Sequence, residues 1–84
     1  MNKNDIVNGK IYKLCFDIAE SKKKLFVASD KGSMLARLSY HETFVVLNQY
    51  DNPYEDLMLM QILTEAGVVG IAAIYAGEME LAAP

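Results

Sequence analysis

Apolar and polar positions alternate along the first strand-like stretch of the chain. In KIYKLCFDIA, residues 10–19, Tyr12, Leu14, Phe16 and Ile18 alternate with Lys13, Cys15 and Asp17. Period two predicts a half-buried strand, because successive side chains of an extended chain point to opposite faces. ESKKK then reads as a polar connection, and LFVAS is rich in strand formers. SDKG follows as a turn, and SMLARLSY is a further candidate strand. TFVVLNQY is the clearest strand by propensity, with two valines between Phe44 and Leu47.

Two readings compete for residues 53–66. Asn52 as a cap, Pro53 at a first helical position, Glu55 and a terminal Gly67 would suit a helix. However, Leu57 to Leu63 is apolar almost all round, so a surface helix would lack a polar side. A hairpin explains the turn better. TEAG places Glu65 and Ala66 in the right-handed helical region and Gly67 at positive φ, the pattern of a three-residue hairpin loop with a glycine bulge. SDKG, residues 29–32, repeats that design around Gly32.

With Thr64 opposite Val68, Leu63 meets Val69, Ile62 meets Gly70 and Gln61 meets Ile71. One face then carries Leu57, Leu59, Gln61, Leu63, Val69, Ile71, Ala73 and Tyr75. The other carries Met58, Met60, Ile62, Val68, Ala72 and Ile74, with Thr64 and Gly70. Neither face is polar, whereas a sheet with one wet side alternates. One face should fill the core and the other meet a partner, either the N-terminal segment of the same chain or a neighbouring subunit. The set Met58, Met60, Ile62, Val68, Ala72 and Ile74 is taken as the oligomer interface.

Composition narrows this picture. The chain has 84 residues, 52% of them hydrophobic, which suits one small folded domain spanning residues 1–84. The longest uncharged run, Ala66 to Gly77, is too short for a membrane helix, which needs about 20 apolar residues. The polar start MNKND lacks the apolar core of a signal peptide, so a cytoplasmic location, of a cell or an infected host, is expected. One cysteine and one histidine cannot form a disulfide or a four-ligand zinc site within one chain. No metal or cofactor is expected. The net charge is −3, unevenly divided: residues 1–41 carry +4 and residues 42–84 carry −7, without a single Lys or Arg. A basic face opposite an acidic one is one consequence; sheet pairing that interleaves the halves and averages the field is the other.

The order of strand, polar loop, strand ending in ILTEAG, VVGIAAIY and a short EMEL tail covers residues 43–81. It resembles a small Src-homology-3-like β-barrel, and among these the ring-forming Sm-like branch. The resemblance implies an all-β, five- to six-stranded antiparallel barrel whose subunits join by strand edges into rings that bind RNA. Barrels of this kind are common among phage proteins. Gly70, after Val69, is a loose counterpart of the glycine in the Sm Arg-Gly pair, but the arginine is absent. No Asp-x-x-Met-Asn segment is present either, so the uridine-gripping residues of that family are not carried over.

Chemistry is sparse. Cys15 and His41 are the only nucleophile–base combination of their kind, and nothing near Cys15 in sequence would activate its thiol. Glu78 and Glu80 would share a strand face, better suited to a charged sheet edge than to acid–base work. No glycine loop has the surroundings of a phosphate cradle. An enzyme is not expected. Lys22, Lys23, Lys24, Lys31 and Arg37, with Tyr40 and other interleaved aromatics, suit single-stranded RNA or DNA, since cations neutralise phosphates and aromatic rings stack bases. A ring would repeat these weak contacts and raise avidity. The competing expectation is a protein-docking module that uses the apolar hairpin or the acidic C-terminal half.

Overall fold

The structure, a computed structural model, describes residues 3–14, 25–38, 42–50 and 57–82. A 3-10 turn at Lys3–Asp5 leads into β1, Ile11–Leu14. Next come β2, Leu25–Ala28, β3, Met34–Leu38, β4, Thr43–Tyr50, β5, Leu57–Thr64, and β6, Val69–Tyr75. A second 3-10 turn, Ala76–Glu78, precedes β7, Met79–Leu81. The described residues are therefore all-β apart from these two turns. Residues 57–64 are strand, which removes the helical alternative for them.

The seven strands among the described residues belong to one sheet of order β3-β2-β6-β5-β4-β1-β7, and every one of these pairings is antiparallel. The count exceeds the five or six expected, because the short C-terminal β7 pairs with β1 and forms a strand of its own. Among the described residues no ladder joins β3 to β7. Yet buried side chains from all seven strands meet in a single cluster, from Tyr12 and Leu14 on β1 to Met79 on β7. One sheet can enclose one core only by curling upon itself, as twisted strands readily do.

The turn chemistry accounts for the two hairpins. In TEAG the Gly67 N–H donates to Thr64 O at 3.0 Å and the Thr64 N–H to Val68 O at 2.9 Å. In SDKG the Gly32 N–H donates to Ser29 O at 2.9 Å and the Ser29 N–H to Ser33 O at 2.8 Å. Gly67 and Gly32 lie at φ 84° and 87°, where a side chain is disfavoured. The β5–β6 register pairs Leu63 with Val69, Ile62 with Gly70 and Gln61 with Ile71, as the turn spacing predicts.

The hairpin faces are the reverse of the interface expectation. Met58, Met60, Ile62, Ala72 and Ile74 are all at most 2% exposed, and Val68 packs against them. These six residues form core, not an oligomer surface. The alternate set, Leu57, Leu59, Leu63, Val69, Ile71 and Tyr75, points outward. Period-two patterning could not separate the two sets because both are apolar.

Among the irregularities of the sheet, two bear on its outer face and core. The β4–β5 register shifts between Val46 and Asn48, leaving Leu47 as an extra residue. Phe44 and Val46 face the core, and after this bulge Gln49, opposite Met60, takes that side while Asn48 and Tyr50 turn outward. Gln49 then closes the bottom of the core, its Nε2 donating to Ile6 O at 3.0 Å and Asn8 Oδ1 at 2.9 Å. The second irregularity is a near-contact of backbones. β2 pairs with β6 only at Ala28 and Ile71, and a Cβ on the adjacent Gly70 would lie 2.7 Å from Ala28 O. Only glycine lets β2 approach β6 this closely.

Candidate interaction surface

The outer surface is read most simply as cross-strand rows. Ile11, Val45, Leu63 and Val69 are consecutive partners across β1, β4, β5 and β6. The next row on the central strands is Asn48, Gln61 and Ile71, followed by Tyr50, Leu59 and Ala73, and then Leu57 and Tyr75. None of these residues is charged. Ile11, Val69 and Tyr75 are 43–48% exposed. The central half of the sheet therefore presents an uncharged, largely apolar face to solvent.

Charges lie around this face. Lys13 on β1 meets Glu80 on β7 at 3.7 Å, with both side chains substantially exposed, so the pair contributes at most about 1 kcal/mol. Glu80 is on β7 and Glu78 in the 3-10 turn before it, so the two do not share a strand face. At the start of β4, the Thr43 N–H and Oγ1–H both donate to Glu65 Oε1, at 3.0 and 2.7 Å. These two hydrogen bonds favour the ionised form and hold the Glu65 carboxyl below the usual carboxylate range.

The strand order separates the basic residues. Lys31 and Arg37 are exposed at the β2–β3 end, whereas Lys10 and Lys13 lie beside β1, across the uncharged central strands. Lys22, Lys23, Lys24 and Tyr40, together with Cys15 and His41, lie outside the described residues. Among the described residues no group of three or more His, Cys, Asp or Glu is placed to hold a metal ion. No helix among them is long and apolar enough to cross a membrane.

Ser29 and Asp30 of the β2–β3 turn, with Leu35 of β3, line a groove of about 350 Å³ against residues of β4, β5 and β6. Its walls include Asp30 and Leu35 on one side and Tyr50 and Gln61 on the other, over a floor of Val69 and Ile71. The sequence reading assigned no role to Asp30, Tyr50 or Gln61. One signal was available: Gln61 is the sole polar residue in the outward series Leu57, Leu59, Gln61, Leu63. Tyr50 could not be found by periodicity, since the bulge at Leu47 reverses its direction. No protein-family model, curated protein or solved structure matches this chain.

Proposed function

We propose that this chain is a non-enzymatic, Sm-like small β-barrel that self-associates into a ring and binds single-stranded nucleic acid. The carrying observation is the uncharged part of the outer face away from the β2–β3 groove: Ile11, Val45 and Leu63, consecutive partners across β1, β4 and β5, with Ile11 exposed. So extended an apolar surface on a small chain is best explained as a contact region. Met34, 58% exposed on edge strand β3, supplies a second apolar surface at the other end of the sheet order. Contact between two different surfaces of successive copies is heterologous, and such contacts form a ring when the rotation between copies closes. The nucleic-acid part of the reading is supported by exposed Lys31, next in the chain to the groove residue Asp30, and by Tyr50 in that groove.

Light scattering on the eluting protein tests self-association. The wild type is expected well above the 9.4 kDa of one chain, and Ile11→Lys is expected to lower the mass at unchanged circular dichroism. A wild type that elutes as a single chain at high concentration refutes the ring. Titration of a labelled single strand at low and raised salt tests the second part, with affinity expected to fall as salt rises. An oligomer that binds no strand even at low salt refutes nucleic-acid binding and leaves a protein-docking module in its place.

A further inference from the structure

We propose that the groove lined by the β2–β3 turn is a base pocket that selects guanine and disfavours uracil. The inference rests on the nucleic-acid reading above and names the base that such a strand would present. A groove of about 350 Å³ lies within the range of roughly 300–1,000 Å³ usual for small-ligand sites. Val69 and Ile71 give it an apolar floor, and Tyr50 offers an aromatic ring at one wall for stacking.

Three residues with polar side-chain ends line the groove together with these apolar residues: Asp30, Gln61 and Tyr50. No hydrogen bond or ion pair among the described residues engages any of these side-chain groups. Asp30 also sits on a prepared scaffold. Ser29 Oγ accepts from the Lys31 N–H at 3.3 Å and the Ser33 N–H at 3.1 Å, and two backbone hydrogen bonds close the same turn. The carboxylate is thus carried by a hydrogen-bonded loop, with the Lys31 ammonium one residue away to meet a phosphate.

A carboxylate only accepts hydrogen bonds, and it accepts best from two parallel N–H donors. Guanine offers that pair on one edge, N1–H beside the N2 amino group. Its O6 acceptor remains for the donor side of Gln61. Uracil presents one N–H flanked by two carbonyl oxygens, which a carboxylate repels. Adenine and cytosine each offer an amino donor next to a ring-nitrogen acceptor, so they form one hydrogen bond and rank between. The order expected is guanine, then adenine and cytosine, then uracil.

The test uses labelled oligouridine strands in which central positions are replaced by guanosine, adenosine or cytidine, read by fluorescence anisotropy at low salt. Guanosine is expected to tighten binding by about tenfold over uridine, the scale of one good bidentate base contact. Asp30→Asn is expected to bring the four bases within about twofold while leaving binding of the all-uridine strand, which depends on phosphate, no weaker. Lys31→Ala should weaken all strands equally. Equal affinities for the four bases, or a guanine preference that survives Asp30→Asn, overturn the pocket but not nucleic-acid binding. Failure of every strand to bind overturns nucleic-acid binding and, with it, the pocket's role in reading a strand. A second measurement does not depend on strand binding: guanosine monophosphate titrated by NMR should shift the Gln61 side-chain amide and the Tyr50 ring signals, with uridine monophosphate leaving them in place. Absence of that difference overturns the pocket.

Discussion

Gly70→Ala tests the close approach of β2 to its sheet neighbour β6. The added methyl would stand 2.6 Å from Val27 Cγ1, 2.7 Å from Ala28 O and 3.1 Å from Leu35 Cδ1. Val27 is fully buried, so its side chain cannot move aside into solvent. Ala28 O belongs to the residue that forms the β2–β6 pairing, so moving it loosens the strand. Overpacking of a core costs about 1–3 kcal/mol, and a backbone atom among the clashes places this site towards the upper end. Alanine recovers roughly 0.5–1 kcal/mol of backbone entropy in a strand. The net expectation is a loss of about 2 kcal/mol. For a domain of this size that lowers Tm by roughly 8–16 °C. Urea unfolding followed by circular dichroism, with calorimetry in parallel, measures both quantities. Gly77→Ala is the control: nothing lies within 4 Å of its would-be Cβ, and its φ is not positive, so stability should be unchanged or slightly raised. A Gly70→Ala protein as stable as the wild type would refute the close approach.

Two further perturbations address the core and the rim of the sheet. Met60→Ala removes a side chain of 0% exposure and is expected to cost about 2–5 kcal/mol in urea unfolding, more than the same change at half-buried Leu59; the opposite order would reverse the assignment of the hairpin faces. The Glu65 carboxyl, lowered by the two Thr43 hydrogen bonds, stabilises the fold while ionised. Because the folded-state value is depressed, this contribution is full above the ordinary glutamate value near 4.3 and is lost as pH falls through the folded value. Glu65→Gln should therefore flatten the acid side of a profile of urea midpoint against pH, and an unchanged profile would count against the stabilising role of the two Thr43–Glu65 hydrogen bonds.

Much of the fold is legible in short-range pattern. Tyr12 and Leu14 alternate with Lys13, and the structure buries the first two and leaves Lys13 partly exposed. SDKG and TEAG specify their hairpins because only glycine is comfortable at the positive φ each loop needs, and loop length then sets the strand register. The candidate site is far less legible. Asp30, Tyr50 and Gln61 come from a turn and two different strands, and they meet because β2 packs beside β6 and because one extra residue at Leu47 reverses the phase of β4. Period two carried unbroken through β4 would send Asn48 and Tyr50 inward after Phe44 and Val46.

The amino-acid sequence alone determined the all-β character, the two glycine turns and the pairing of Leu57–Thr64 with Val69–Tyr75, since these rest on local conformational preference. The tertiary structure decided which side of that hairpin is core. Both phases are apolar, so solvent preference does not separate Met60 from Leu59. The direction in which the sheet curls does, and it depends on the β4 bulge, the closure by Ile6 and Gln49, and the close approach of β2 to Gly70. Curvature is a property of the assembled strands, and no window of sequence contains it.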